Sequence, residues 1–185
     1  REQGIDPDDG RRLGELAARA RIRLEPRAAG GQAVFVDGRD VTAEIRGQEI
    51  GEWASKVSTR GEVRDHLVRL QREIARDGGA VLEGRDIGTV VFPDADVKFF
   101  LEASAEERGR RRFRQLRDQG RPAAMADIVA EIEERDRRDR TRDHSPLRCA
   151  ADAERVDSTG LSAEEVVGRL LGRCRRALGG GPQKP

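Results

Sequence analysis

The run EERDRRDRTR, residues 133–142, is the most chemically loaded stretch of the chain. Every residue in it except Thr141 is ionised at pH 7. Such a run can be a solvated helix face, a nucleic-acid patch or a clamp for small phosphates. Helical phase helps to separate these. The apolar residues upstream are Ile128 and Ile132, and the same face continues by steps of three and four through Arg135, Asp139 and Arg142, with Arg138 beside it. Glu131, Glu133, Glu134 and Asp136 fill the opposite side. An apolar stripe therefore runs into three charges, and a charge facing inward must be paired or line a cleft. The spacing favours a cleft. Arginine presents a planar fork that grips two phosphate oxygens, and Asp139 between Arg135 and Arg142 can hold both guanidiniums. Converging guanidiniums can also stabilise charge on a phosphoryl group in transfer.

Two further motifs carry chemistry. In LEGRDIGTVVFPDADVKFF, the triplet Gly84-Arg85-Asp86 is expected to follow directly on a short buried strand, GAVLEG, with Gly88 keeping the loop tight. Residues at the carboxyl ends of parallel strands line the ligand crevice of an open α/β sheet. A surface turn with a local ion pair fits the position equally well. In EERGRRRFRQLRDQGR, residues Arg108, Arg111 and Arg112 share one helical face, with Arg114 nearby. Together with residues 135–142 this makes an Arg-rich helical hairpin, suited to a mobile lid over a triphosphate. An RNA-binding hairpin would look similar, but the chain has no Tyr and only 3% aromatic residues, so stacking platforms are scarce. His66, His144 and Trp53 carry weaker signals: a helix-surface residue, a residue without an identifiable partner, and a core anchor.

The elements that must position these residues change in texture along the chain. Leu13, Leu16, Ala17 and Ala20 sit at helical spacing, and RIRLEP follows as a strand. Asp37-Gly38 is a hairpin dipeptide inside GGQAVFVDGRDVT, and a short helix is expected from about Glu44 to Ser58. Val63, Leu67, Leu70 and Ile74 mark a clear helix, stopped at Gly78-Gly79. Strands then alternate with helices: GAVLEG, ADVKFF, a helix capped by Ser104 and Glu107 that ends at Gly120, a helix from about Ala124 past Arg138, the strand ERVDST, and a last helix capped by Ser162 and Glu165. Strands joined by helices suggest parallel pairing and an α/β fold, with the first half a smaller α+β insertion.

Composition narrows the class. The 185 residues fit one domain with a small inserted subdomain. With 36 basic against 35 acidic residues the net charge is +1, which argues against a dedicated nucleic-acid binder. Cys149 and Cys174 form neither a metal-ligand spacing nor a disulfide framework, and they suit a reducing compartment; no metal-ligating residue is assigned. No apolar run is long enough to span a membrane, and no signal peptide opens the chain.

Together, GRDIGTVVFPDADVKFFLEAS, EIEERDRRDRTR and DSTGLSAEEVV resemble bacterial cytidylate kinase, a phosphate-loop nucleoside monophosphate kinase. The segment VDGRDVTAEIRGQEIGEWASKVS resembles that family's enlarged monophosphate-binding subdomain. The resemblance implies transfer of a phosphoryl group from ATP, carried with Mg²⁺, to CMP or dCMP in pyrimidine metabolism. It implies CMP contacts at Ser55, Arg64, Arg85 and Asp86, a catalytic set of Arg135, Asp139 and Arg142, and lid residues Arg108 and Arg111 closing on ATP. It also implies a cytoplasmic enzyme, monomeric when complete, with neither nucleic-acid nor membrane partner. The implied organisation is a leading helix over 1–20, a monophosphate-binding subdomain over 21–79, a core over 80–178 with an Arg-rich lid at about 108–142, and a flexible tail over 179–185.

One part of the family pattern does not appear. The 185 residues contain no G-x-x-x-x-G-K-[ST] run, the backbone cradle that holds ATP phosphates. The expected fold is therefore a phosphate-loop-kinase-type parallel sheet flanked by helices, lacking its first strands, with an α+β insertion. Expected consequences are little kinase activity from this polypeptide and poor stability on its own, as an N-terminally truncated fragment. A CMP-binding fragment without turnover and an Arg-rich RNA-binding domain are the alternatives.

Overall fold

The computed structural model describes residues 4–28 and 30–179. The tail expected at 179–185 lies, from residue 180 onward, outside the described residues. The chain divides into two compact units, with the boundary between Ala80 and Val81.

In the first unit, α1 (Gly10–Arg19) starts at Asp9, whose carboxylate accepts from the Arg12 N–H at 3.0 Å. Its apolar face packs on α3 (Gly61–Ile74), so that Leu13, Val63 and Ile5 form a small core with Leu16, Ala17, Val57 and Leu67 around it. Strands β1 (Ile22–Pro26), β2 (Gln32–Val36) and β3 (Arg39–Asp40) form an antiparallel sheet in that order. Asp37 and Gly38 both take positive φ, +51° and +88°, as a tight hairpin turn requires. The single helix expected over Glu44–Ser58 is instead a 3-10 turn (Glu44–Arg46) and α2 (Gln48–Val57). Gly47 separates them because its backbone is extended (φ −65°, ψ 142°).

In the second unit, β4 (Phe99–Glu102) and β5 (Glu154–Asp157) pair in parallel, Phe99 opposite Glu154 and Glu102 opposite Asp157. Between them run α4 (Ala105–Asp118) and α5 (Met125–Thr141), and α6 (Ala163–Ala177) follows β5. Ser104 caps α4 through the Glu107 N–H (3.1 Å), and Ser162 with Glu165 forms a complete capping box on α6. The α4 helix stops at Asp118, two residues before Gly120, which lies at φ +68°.

The strand expected over GAVLEG does not form. Residues 79–84 have no regular structure, and Val81 is fully exposed at 101%. A short apolar run becomes a strand only when neighbouring strands satisfy its backbone groups. Among the described residues no strand pairs with this segment. Periodicity alone cannot register that missing partner.

The helical hairpin α4–α5 is closely packed. A Cβ built on Gly109 would stand 2.7 Å from Val129 Cγ2 and 3.5 Å from Met125 Sδ. Valine is stiff at χ1 and cannot yield by rotation at little cost. Gly109→Ala is therefore expected to destabilise the second unit by about 1–3 kcal/mol, although alanine is the better helix former. Denaturant melts of the two proteins check it; a stabilised variant would mean that the helices separate freely.

Candidate active site

The segment Gly84-Arg85-Asp86 enters a single π-helical turn, Ile87–Val91, rather than leaving a strand. The Asp86 carbonyl accepts from the N–H groups of Thr89, Val90 and Val91 at 2.8–3.3 Å, and Phe92 N–H donates to Ile87 O at 2.7 Å. Val91, buried at 1% exposure, anchors the turn, and Asp86 itself is buried. Gly88 lets the Lys98 side chain lie across the turn, since a Cβ there would be 3.1 Å from Lys98 Cδ. The Lys98 ammonium is held by the Pro93 carbonyl and by Asp152 at 2.6 Å. Arg85 and Asp86 thus project from a fixed irregular turn.

Asp139 is the hub of the cluster. It is 5% exposed on α5. Arg85 Nε donates to its Oδ2 at 2.7 Å. Arg142 Nη1 lies 3.8 Å from Oδ1, and Arg135 Nε lies 4.0 Å from Oδ2. The structure therefore brings Arg85, Arg135, Asp139 and Arg142 together from two distant parts of the sequence. Arg85 and Arg135 are 41% and 56% exposed, whereas Arg142 is 7% exposed. Arg142 Nε donates to the Ser145 carbonyl at 2.7 Å, while its Nη2 is buried without a hydrogen-bond partner among the described residues. Burial pulls the Arg142 pKa below the usual guanidinium value; the Asp139 charge opposes this and the Arg85 charge adds to it. Three guanidiniums against one carboxylate leave two positive charges at one place. A multivalent anion such as a phosphate group would balance them and would give the buried fork an acceptor.

Asp136 differs from its sequence assignment. Placed on the outward side by helical phase, it turns inward and meets Arg108 of α4, with Arg108 Nη1 and Nη2 donating at 2.9 and 2.6 Å to its two oxygens. The inward face is wider than the stripe because α4 supplies a partner. Burial raises the Asp136 pKa, but the Arg108 hydrogen bonds and nearby guanidinium charges outweigh it and hold the carboxyl below its ordinary value. Arg111 is also engaged within the protein: Nη2 donates to the Ser158 carbonyl at 2.6 Å and Nε to Glu107 at 3.0 Å. Neither Asp136 nor Ser158 was legible as a site neighbour, because the partner of each sits more than twenty residues away. Ser55 and Arg64 lie in the first unit, in the last turn of α2 and the first turn of α3, both half-buried.

Among the described residues no group of three or more His, Cys, Asp or Glu could hold a metal ion. No described helix is long and apolar enough to cross a membrane.

A family model described as cytidylate kinase matches residues 1–176. The chain is 52% identical over 167 residues to a cytidylate kinase of Geobacter sulfurreducens, covering 90% of this chain and 71% of that protein. It is 46% identical over 172 residues to a cytidylate kinase of Pseudomonas syringae pv. tomato, covering 92% of this chain and 75% of that one. It is also 46% identical over 179 residues to a bifunctional pantoate ligase/cytidylate kinase of a Synechococcus species, covering 96% of this chain and 33% of that longer protein.

Proposed function

The chain belongs to the cytidylate kinase family, and on that premise we propose that it serves the transfer of a phosphoryl group from ATP to CMP or dCMP, giving CDP or dCDP. The observation that carries the proposal is the Arg142 guanidinium, buried and with one nitrogen lacking a hydrogen-bond partner among the described residues, beside the Arg85–Asp139 pair. Phosphoryl transfer asks little covalent chemistry of the protein; it asks for positioned positive charge. Arg142 and Arg85 hold the monophosphate and neutralise charge as the phosphoryl group moves. Asp139 orients both forks and accepts from the pentose hydroxyls, and Arg135 at the exposed rim completes the set. Asp86, fixed by the π turn, helps to select cytosine and pentose. Ser55 and Arg64 are further CMP contacts.

Mg²⁺ would come with ATP as part of the substrate and would offset phosphate charge. The roles assigned to these residues fall on the acceptor side of the transfer. The Arg-rich RNA-binding alternative is not favoured: Arg108 and Arg111 of α4 and Arg137 of α5 are engaged by carboxylates within the fold. Calorimetric titration with CMP, UMP and a short single-stranded RNA tests the proposal. CMP binding well above UMP is expected. Salt-steep RNA binding without CMP preference would overturn it.

A further inference from the structure

Arg108 uses all three of its guanidinium nitrogens inside the protein. Nε donates to the Ala103 carbonyl at 3.1 Å, just past the end of β4, while Nη1 and Nη2 grip both oxygens of Asp136 on α5. One side chain therefore ties the end of β4 to the far helix of the hairpin. Arg111, one turn on, ties α4 to the end of β5 through Ser158. On α5, Asp136 directly follows Arg135 and precedes Asp139 by one turn. The only buried residues of α5 are Ile128 and Asp139, so apolar packing grips its first half and leaves the charged half to be fixed by other means. The planar two-point fork supplies that fixing, since it restricts direction as well as distance.

We propose that Arg108 and Asp136 are a positioning pair: their fork sets the rotation of the second half of α5, and so the direction in which Asp139 and Arg135 meet the nucleotide, while neither side chain touches it. The inference rests on the CMP-acceptor role proposed above. It gives Arg108 a different part from the lid contact with ATP that resemblance implies.

The test uses the full chain, with Arg108→Lys, Asp136→Asn and the double variant. Each is titrated with CMP by calorimetry and followed by amide hydrogen exchange over residues 135–142. Each single variant is expected to weaken CMP binding roughly ten-fold, with the double variant no weaker than either single. Lysine keeps the charge but cannot donate to the Ala103 carbonyl and both carboxylate oxygens in one plane. Its failure to rescue therefore separates geometry from charge. A merely structural role would lower the melting temperature and leave the CMP affinity of the folded protein unchanged. Unchanged affinity in both single variants overturns the inference, and so do losses that add in the double variant, which would signal direct contact. If the unmodified chain ignores CMP, the acceptor proposal falls on that result alone. Exchange then tests the fork's hold on α5 by itself: faster exchange of the residue 138–142 amides in Asp136→Asn upholds that hold, and unchanged exchange ends the inference.

Discussion

Replacing Asp139 with alanine is expected to destabilise the second unit by about 3 kcal/mol and to weaken CMP binding roughly a hundred-fold. Asp139 is buried, bonded to Arg85 at 2.7 Å and within 4.0 Å of both Arg135 and Arg142. Its removal leaves three guanidiniums facing one another. The cost is set at the low end for a broken buried pair, because Arg85 is 41% exposed and water screens part of the loss. Arg142, at 7% exposure, has no such relief. The binding loss has a second origin: without the carboxylate the forks lose their fixed directions, so phosphate meets them at an ordering cost. Asp139→Asn separates the two effects, since it preserves shape while removing charge. Denaturant melts and calorimetry on both variants make the measurement. An alanine variant that melts like the unmodified chain would show that Asp139 is not the hub that its distances describe.

Replacing Arg142 with methionine is expected to do the reverse: to leave stability within about 1 kcal/mol, or raise it, while weakening CMP binding roughly a hundred-fold. The Arg142 charge is desolvated, its Asp139 contact is 3.8 Å long, and one of its nitrogens has no hydrogen-bond partner among the described residues. Burying an unsatisfied donor costs free energy in the unliganded protein. Methionine matches the length of the stem and removes that cost, against the loss of the Ser145 hydrogen bond at 2.7 Å. The free protein bears this expense only if an anion repays it on binding. A methionine variant that binds CMP as tightly as the parent would place the phosphate elsewhere. One that unfolds would mean that Arg142 is a structural tie.

Local signals made much of the fold legible. Asp37-Gly38 set its hairpin, Ser162 with Glu165 set the start of α6, and the Val63–Leu67 stripe set the buried face of α3. The inward phase of Asp139 was legible too, because three- and four-residue steps carry the Ile128 face onward without reference to any partner. What needed a partner was not legible. GAVLEG reads as a buried strand, yet Val81 stands in solvent for want of a neighbour. Asp136 reads as outward until Arg108 arrives from another helix. The π turn at Ile87–Val91 has no periodicity to detect: three N–H groups converge on the Asp86 carbonyl, a pattern that side-chain alternation does not encode. Gly47 was a fourth case, a break inside a run that reads as one helix.

The parallel ladder between β4 and β5 also has a kinetic meaning. It pairs Phe99 with Glu154, so everything between them must be gathered before its first bond forms. The entropy of closing a loop rises with its length, and a ladder of two four-residue strands offers few bonds in return. The intervening helices meet over a shorter span of chain than the strands do, Gly109 against Val129. Their hairpin is thus the natural nucleus: once formed it spans most of the intervening chain and brings the strand ends close. A weakened hairpin is then expected to slow folding, and loss of the cross-strand Arg155–Glu102 pair, 2.7 Å apart, to hasten unfolding, as stopped-flow rates would show. The same two helices that carry Arg108, Asp136 and Asp139 set the pace at which the second unit is made.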